Sequence, residues 1–106
     1  MSYRYMRIIV LFDLPSTTYI DQKAYRAFHK FLVNDGFVMM QESVYCKLAL
    51  NMSVVNGVKA RLKAHAPKKG DVEILVITEK QFSKIEYLVG EKQSIIEDSE
   101  ERMIIL

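Results

Sequence analysis

The chain has 106 residues, a formal net charge of +2, and hydrophobic residues at half of its positions. This length and composition predict one folded domain with a single core. No apolar run approaches the roughly 20 residues that a membrane-spanning helix needs, and the first residues lack the cleavage site of a secretory signal. Cys46 is the only cysteine, which excludes an intrachain disulfide and agrees with a reducing compartment. We therefore expect a cytoplasmic protein with no membrane partner, in which Cys46 is a small buried hydrophobe.

The small net charge hides two segments of opposite sign. Residues 1–70 hold 11 Lys and Arg against 4 Asp and Glu, a formal charge of +7. Residues 71–106 hold 4 against 9, a formal charge of −5. A basic body predicts a polyanionic partner. The alternative is that the two segments neutralise each other in the fold or across a dimer.

The predicted elements begin with a strand at about residues 5–13, where a β-branched apolar run ends before Leu14-Pro15. A helix is predicted near residues 20–33, and Asn34-Asp35-Gly36 is a stop signal after it. The apolar positions at helical spacing are Ile20, Ala24, Ala27, Phe28, Phe31 and Leu32.

The middle of the chain predicts a hairpin, a second helix and a further strand. The hairpin strands are residues 37–41 and 43–50. Ser53 can cap a helix over residues 54–66, and the nearly continuous apolar run of residues 72–78 is a strand.

The order of these elements is β-α-β-β-α-β, which predicts an α+β, ferredoxin-like fold for residues 1–78. Residues 79–106 are predicted to be a C-terminal extension, with a short strand at residues 85–89. We expect this extension to pair as strands with a partner subunit.

Side-chain alternation divides the first strand between two faces of the sheet. Met6, Ile8, Val10 and Phe12 are assigned to the face that the helices cover. Ile9, Leu11 and Asp13 share the second face, where Leu75 and Ile77 of the last core strand add apolar surface. Two helices cover only one face, so the second face is predicted to meet another copy of the chain in a homodimer. The alternative is that the C-terminal 25 residues fold back over it.

Asp13 stands at the carboxyl end of the first strand, an edge where α/β folds often place chemistry. A dimer through the second face would bring two Asp13 side chains together, and Mg²⁺ typically takes one or two carboxylates plus substrate phosphates. Such a site can hydrolyse a phosphodiester. The alternative is that Asp13 caps the following loop.

Basic residues recur at helical spacing on both predicted helices and in the turn that follows. They are Lys23, Arg26, Lys30, Lys59, Lys63, Lys68 and Lys69. Such stripes can bind a phosphate backbone without reading its sequence, or they are simply solvated faces. His29 and His65 have no metal-ligand partner at familiar spacing, and for His29 a solvated helix face is expected.

Four motifs occur in order: Phe12-Asp13 at the first strand end, Gly36-Phe37 at the helix stop, Gln-Glu-Ser-Val-Tyr at residues 41–45, and Gly70-Asp71 before the last core strand. Together they resemble the Cas2 family of CRISPR-associated proteins, which has an aromatic-Asp strand end and a Gln-x-Ser-Val-aromatic signature. The Asp-Leu-Pro loop after the first strand is similar to that of variants from type II systems.

This resemblance implies a homodimer of ferredoxin-like subunits that works with the Cas1 integrase and double-stranded DNA during spacer acquisition. It also implies a metal-dependent endonuclease acting on RNA or double-stranded DNA, with Asp13 as catalytic residue and Mg²⁺ ligand, shared across the dimer. Three alternatives stay open: a non-catalytic scaffold of the same complex, a stand-alone toxin-like ribonuclease of the same fold, and a regulatory ligand-binding dimer.

Overall fold

The computed structural model describes residues 5–90, which form a four-stranded antiparallel sheet and three helices. The elements are β1 (Met6–Asp13), α1 (Tyr19–Asn34), β2 (Val38–Gln41), β3 (Val44–Ala49), α2 (Met52–His65), β4 (Asp71–Thr78) and α3 (Glu79–Phe82). The predicted α+β class and the order of the first six elements are confirmed, and the predicted bounds lie within two residues of the observed ones. Among the helices of residues 5–90, none combines the length and hydropathy needed to span a bilayer.

The sheet has the strand order β2-β3-β1-β4, so β1 is central and runs antiparallel to both of its neighbours. Ile9 of β1 lies opposite Cys46 of β3 on one side and Leu75 of β4 on the other. Because paired residues point to the same face, these three side chains lie together on the second face.

The core lies between the sheet and the two long helices, as the alternation along β1 predicts. Ile8 and Val10 are fully buried there, and burying one such side chain stabilises the fold by about 1.5–3 kcal/mol. The core cluster consists of Ile8, Val10, Phe12, Phe28, Leu32, Phe37, Tyr45, Ala49, Val55, Val58 and Leu62.

Side-chain caps fix where the helices begin. The Thr18 hydroxyl accepts a hydrogen bond from the Asp21 backbone N–H at 3.0 Å, in a capping box that starts α1. For α2 the predicted cap, Ser53, is wrong. The Asn51 side chain accepts from the Val54 N–H at 2.9 Å instead, so α2 begins two residues earlier and Ser53 lies inside it.

The buried stripe of α1 is narrower than predicted at its start. Ile20 is 74% exposed, and Ala24 and Ala27 are exposed as well. The first turns of α1 border an open groove rather than the sheet. Ile20 and Ala24 line this groove together with Pro67. Tyr25, absent from the predicted stripe, packs against the core instead.

The second face of the sheet is only partly covered. Leu75 is 50% exposed and Leu48 is 42% exposed. At one end α3 lies on this face: Arg7 donates to both carboxylate oxygens of Glu79, at 2.9 and 2.6 Å, and stacks over the Phe82 ring. α3 therefore covers one end of this face, and most of the C-terminal 25 residues lie outside the described ones, so the alternative to the dimer stays open.

Residues 85–89, predicted as a short strand, form no strand. Thr78 and Gln81 make a capping box that starts a helical turn directly after β4. Residues 85–90 line a cavity with Met39 and Gln41 of β2, but they pair with no strand of the described sheet, and a strand without a partner is not stable in water. Residues 91–106 lie outside the described residues, so pairing with a partner subunit stays a prediction.

Candidate functional site

Asp13 is the last residue of β1, and its side chain is exposed on the second face. The preceding residue anchors this strand end, since the Phe12 ring packs against Phe28 and Tyr45 at centroid distances of 5.3 and 5.6 Å. An exposed carboxylate thus follows directly on a buried aromatic side chain. This arrangement holds the backbone of Asp13 in place while its side chain stays accessible.

The structure brings two further carboxylates to this end of the sheet. In the β1–β4 ladder Asp13 lies opposite Asp71, and Leu11 lies opposite Glu73. Asp13, Asp71 and Glu73 all point to the second face and line a shallow cavity of about 270 Å³. Asp71 and Glu73 were not among the predicted site residues, although their alternation with Ile74 along β4 indicates that they point away from the core.

The alternative that Asp13 caps the following loop is wrong. Within residues 5–90 its side chain makes no hydrogen bond or ion pair, and the helix after the loop is capped by Thr18. Asp71 and Glu73 are likewise absent from the ion pairs of this region. In the described part of the chain, no basic side chain neutralises their negative charges.

The oxygen donors at this edge can hold a divalent cation only as an open site. No three His, Cys, Asp or Glu of residues 5–90 are placed to surround a metal ion. Mg²⁺ does not need such a cage, because it keeps several waters and binds through one or two carboxylates plus substrate phosphates. The exposed, in-register Asp13 and Asp71 fit that description.

The predicted nucleic-acid residues lie on the helix layer, away from the face that carries Asp13. Lys23, Arg26, Lys30, Lys63, Lys68 and Lys69 are exposed and Lys59 is half-buried. None of the seven belongs to an ion pair formed within residues 5–90. Three of them reach the residue after Asp13: Lys68 and Lys69 line a groove of about 410 Å³ with Leu14, and Arg26 lines a second cavity with Leu14. Lys23, Lys30, Lys59 and Lys63 line neither of these cavities.

Cys46 is fully buried, as predicted. Burial raises the pKa of its thiol above the ordinary value, against a weaker opposing effect of Arg7. The thiol therefore stays protonated and is a poor nucleophile.

His29 is not the solvated side chain that was predicted. Its Nδ1 hydrogen-bonds the hydroxyl of Tyr45 at 2.5 Å, and its ring meets the Tyr45 ring edge-on. Tyr45 is buried, and this burial raises the pKa of its hydroxyl. His29 thus satisfies a buried hydroxyl group and does not serve the acidic edge.

Comparison with known proteins identifies the family. A family model described as CRISPR associated protein Cas2 matches residues 6–85. The chain is 48% identical over 101 residues to a protein of Streptococcus mutans serotype c named CRISPR-associated endoribonuclease Cas2, covering 95% of this chain and 93% of that protein. A Treponema denticola protein of the same name is 40% identical over 101 residues, covering 95% and 100%.

A solved structure supports the fold independently. A crystal structure titled as that of cas2 aligns with a TM-score of 0.59 at 22% identity, and the alignment covers 90% of this chain and 98% of that one. At this identity the similarity concerns the fold alone. The family model and the two relatives carry the assignment, and the chain belongs to the Cas2 family of CRISPR-associated proteins.

Proposed function

We propose that this chain is a ferredoxin-like subunit of a homodimeric CRISPR adaptation protein with a metal-dependent phosphodiester endonuclease activity centred on Asp13. It bridges the Cas1 integrase and binds double-stranded DNA during spacer acquisition. The Cas2 family supports the CRISPR context, and relatives named endoribonucleases support cleavage of RNA. The observation that carries the catalytic part is the exposed Asp13 carboxylate facing Asp71.

The charge of the acidic edge explains why the activity requires a cation. Asp13, Asp71 and Glu73 together repel a phosphodiester, because like charges a few ångströms apart raise the energy of the complex. When bound, Mg²⁺ lowers the pKa of its water and stabilises the negative charge that develops on the phosphate. The protein orients the carboxylates: Phe12 anchors the end of β1, and the ladder to β4 sets Asp71 beside Asp13.

The second face supports the proposed homodimer. Leu48 and Leu75 leave apolar surface there, and apolar surface of this kind usually marks an interface. A twofold axis through this face would also draw two Asp13 side chains toward each other.

The test compares cleavage of a single-stranded RNA and of a DNA duplex by the parent and by Asp13→Asn. We expect the parent to cut at least one substrate in Mg²⁺ and to stop in EDTA, and Asp13→Asn to lose the activity. Glu86→Gln is the matched control, since it removes an exposed charge on the C-terminal segment. If Asp13→Asn cuts at the parent rate, the catalytic part of the proposal fails.

A non-catalytic scaffold is the second candidate. The surface supports it independently of Asp13, because the basic side chains of the helix layer are exposed and belong to no ion pair within residues 5–90. Duplex binding without cleavage by the parent, in any divalent cation tried, would favour this candidate.

A further inference from the structure

Gly70 joins the turn after α2 to β4, and its backbone adopts a φ of +89°. This conformation is readily open only to glycine among the ordinary residues. The glycine is also crowded. A Cβ at this position would lie 2.6 Å from the Asp13 carbonyl oxygen, 2.9 Å from Leu14 Cδ2 and 3.1 Å from Leu14 Cα.

These contacts involve the end of β1 that carries Asp13. The nearest atom is backbone and belongs to Asp13 itself, so it cannot turn aside as a flexible side chain does. An added methyl group must push the turn away from the end of β1. The residue that follows Gly70 is Asp71, whose place opposite Asp13 is the last step of the β1–β4 ladder. Displacing the turn would therefore move Asp71 relative to Asp13.

We propose that Gly70 is a positioning residue of the acidic edge: its missing side chain lets the turn close on the Asp13 carbonyl and so sets the spacing of the Asp13 and Asp71 carboxylates. The inference rests on the proposed endonuclease function. Gly70 touches neither substrate nor metal in this scheme and acts through the backbone of Asp13.

Gly36 provides a matched control within the same chain. It also has a positive φ, +100°, so Gly36→Ala introduces the same kind of backbone strain. Its added Cβ would meet only the flexible end of Lys47, with Nζ at 3.4 Å. The two alanine variants therefore share the strain and differ in whether the new methyl group strikes the backbone of Asp13.

The experiment uses the full chain as parent, Gly70→Ala, Gly70→Asn and Gly36→Ala. Asparagine tolerates positive φ better than alanine but carries the same Cβ, so Gly70→Asn separates the clash from the strain. Each variant is assayed for Mg²⁺-dependent cleavage below its midpoint of thermal unfolding. In addition, Mn²⁺ is titrated into each protein and the broadening of the amide NMR signals of residues 11–14 and 71–73 is measured.

We expect both Gly70 variants to lose about tenfold to a hundredfold in cleavage, since small misplacements of reacting groups have effects of this size. They should also need more Mn²⁺ to broaden the signals near Asp13. Gly36→Ala should unfold at a lower temperature yet cut and bind Mn²⁺ like the parent. Adding Leu14→Ala to Gly70→Ala should restore little, because the carbonyl contact remains.

Three outcomes would overturn the inference. The first is parent-like cleavage and Mn²⁺ response in both Gly70 variants. The second is an equal loss in Gly36→Ala, which would make strain the cause. The third is failure of both Gly70 variants to fold, which would make Gly70 a folding requirement. A parent that does not cut, or an Asp13→Asn variant that does, refutes the proposed function instead, and the Mn²⁺ titration still reports on the spacing of the carboxylates.

Discussion

Asp13 and Asp71 face each other across the β1–β4 ladder, one as the last residue of its strand and the other as the first. Like charges directly opposite each other in a sheet destabilise it. No cation of residues 5–90 pairs with either carboxylate. The fold therefore carries a small electrostatic strain that a bound divalent cation would relieve.

We expect Asp71→Asn to raise the midpoint of thermal unfolding in EDTA, because it removes the repulsion. The same change should reduce the stabilisation that Mg²⁺ gives to the parent, since one of the two carboxylate ligands is lost. Thermal unfolding with EDTA and with Mg²⁺ measures both effects. Unaltered Mg²⁺ stabilisation in Asp71→Asn would mean that Asp71 does not face the cation and that Asp13 acts without it.

Charge reversal of Lys68 and Lys69 tests the basic surface. Changing both to Glu should weaken binding to duplexes of any sequence alike, because we expect these lysines to contact the phosphate backbone, which carries no sequence information. The affinity of the parent should fall linearly with salt on logarithmic axes, and the variant should show a shallower slope. Lys80→Glu with Lys84→Glu is the matched control, an equal charge change at exposed positions beyond β4. Binding that does not respond to salt would contradict the electrostatic account.

Much of this architecture is predictable because it rests on local signals. Alternation along β1 is enough to predict that Ile8 and Val10 are buried and that Asp13 lies on the other face, because the two-residue period of a strand can be read from a few residues. The helical turn of α3 also has a local signal, the Thr78 and Gln81 capping box. The prediction of a strand at residues 85–89 rested on apolar residues instead and did not use this signal.

The features that were missed depend on residues distant in sequence. Asp71 faces Asp13 only through the pairing of β4 with β1, a register that no local pattern reveals. His29 was expected in solvent, but its partner Tyr45 comes from β3. The crowding at Gly70 arises in the same way, because the atom in its path belongs to a strand 57 positions earlier. Local periodicity predicts which face a residue takes but not which residue it meets there.

If the protein is a homodimer, light scattering at micromolar concentration should give twice the chain mass of 12.3 kDa. Leu75→Arg should shift the protein toward the monomer, because it places a charge on the exposed apolar part of the second face. Ile20→Arg makes an equivalent change at an exposed apolar position on the helix side and should leave the mass unchanged. Removing Met103 to Leu106 should weaken the dimer if the extension pairs with the partner. A parent that is monomeric under these conditions would refute the proposed dimer.

The carboxylate of Asp35 links three elements of the fold through ion pairs, and these ion pairs make the stability of the protein depend on pH. Asp35 follows α1, and its carboxylate accepts from Arg61 of α2 at 2.6 Å and from Lys47 of β3 at 3.3 Å. Burial raises the pKa of this carboxyl, but the hydrogen bonds from Arg61 and Lys47 outweigh it and hold the pKa below its usual 3.8. The native state thus binds a proton at Asp35 less readily than the unfolded chain does. Stability from this group is fully present above the unfolded value and is lost as pH falls through the lower, native value.

Asp35→Asn should therefore lower the free energy of unfolding at pH 7 by about 1 kcal/mol, a modest amount because Arg61 is exposed and its charge is screened. Below the native pKa of Asp35 the parent loses the same interaction, so the difference between parent and variant should shrink toward zero. Urea unfolding at pH 7, 5 and 3 measures it, with Glu86→Gln as a control whose difference from the parent stays small throughout. A difference that stays constant down to pH 3 would show that the Asp35 carboxylate is not held by these cations.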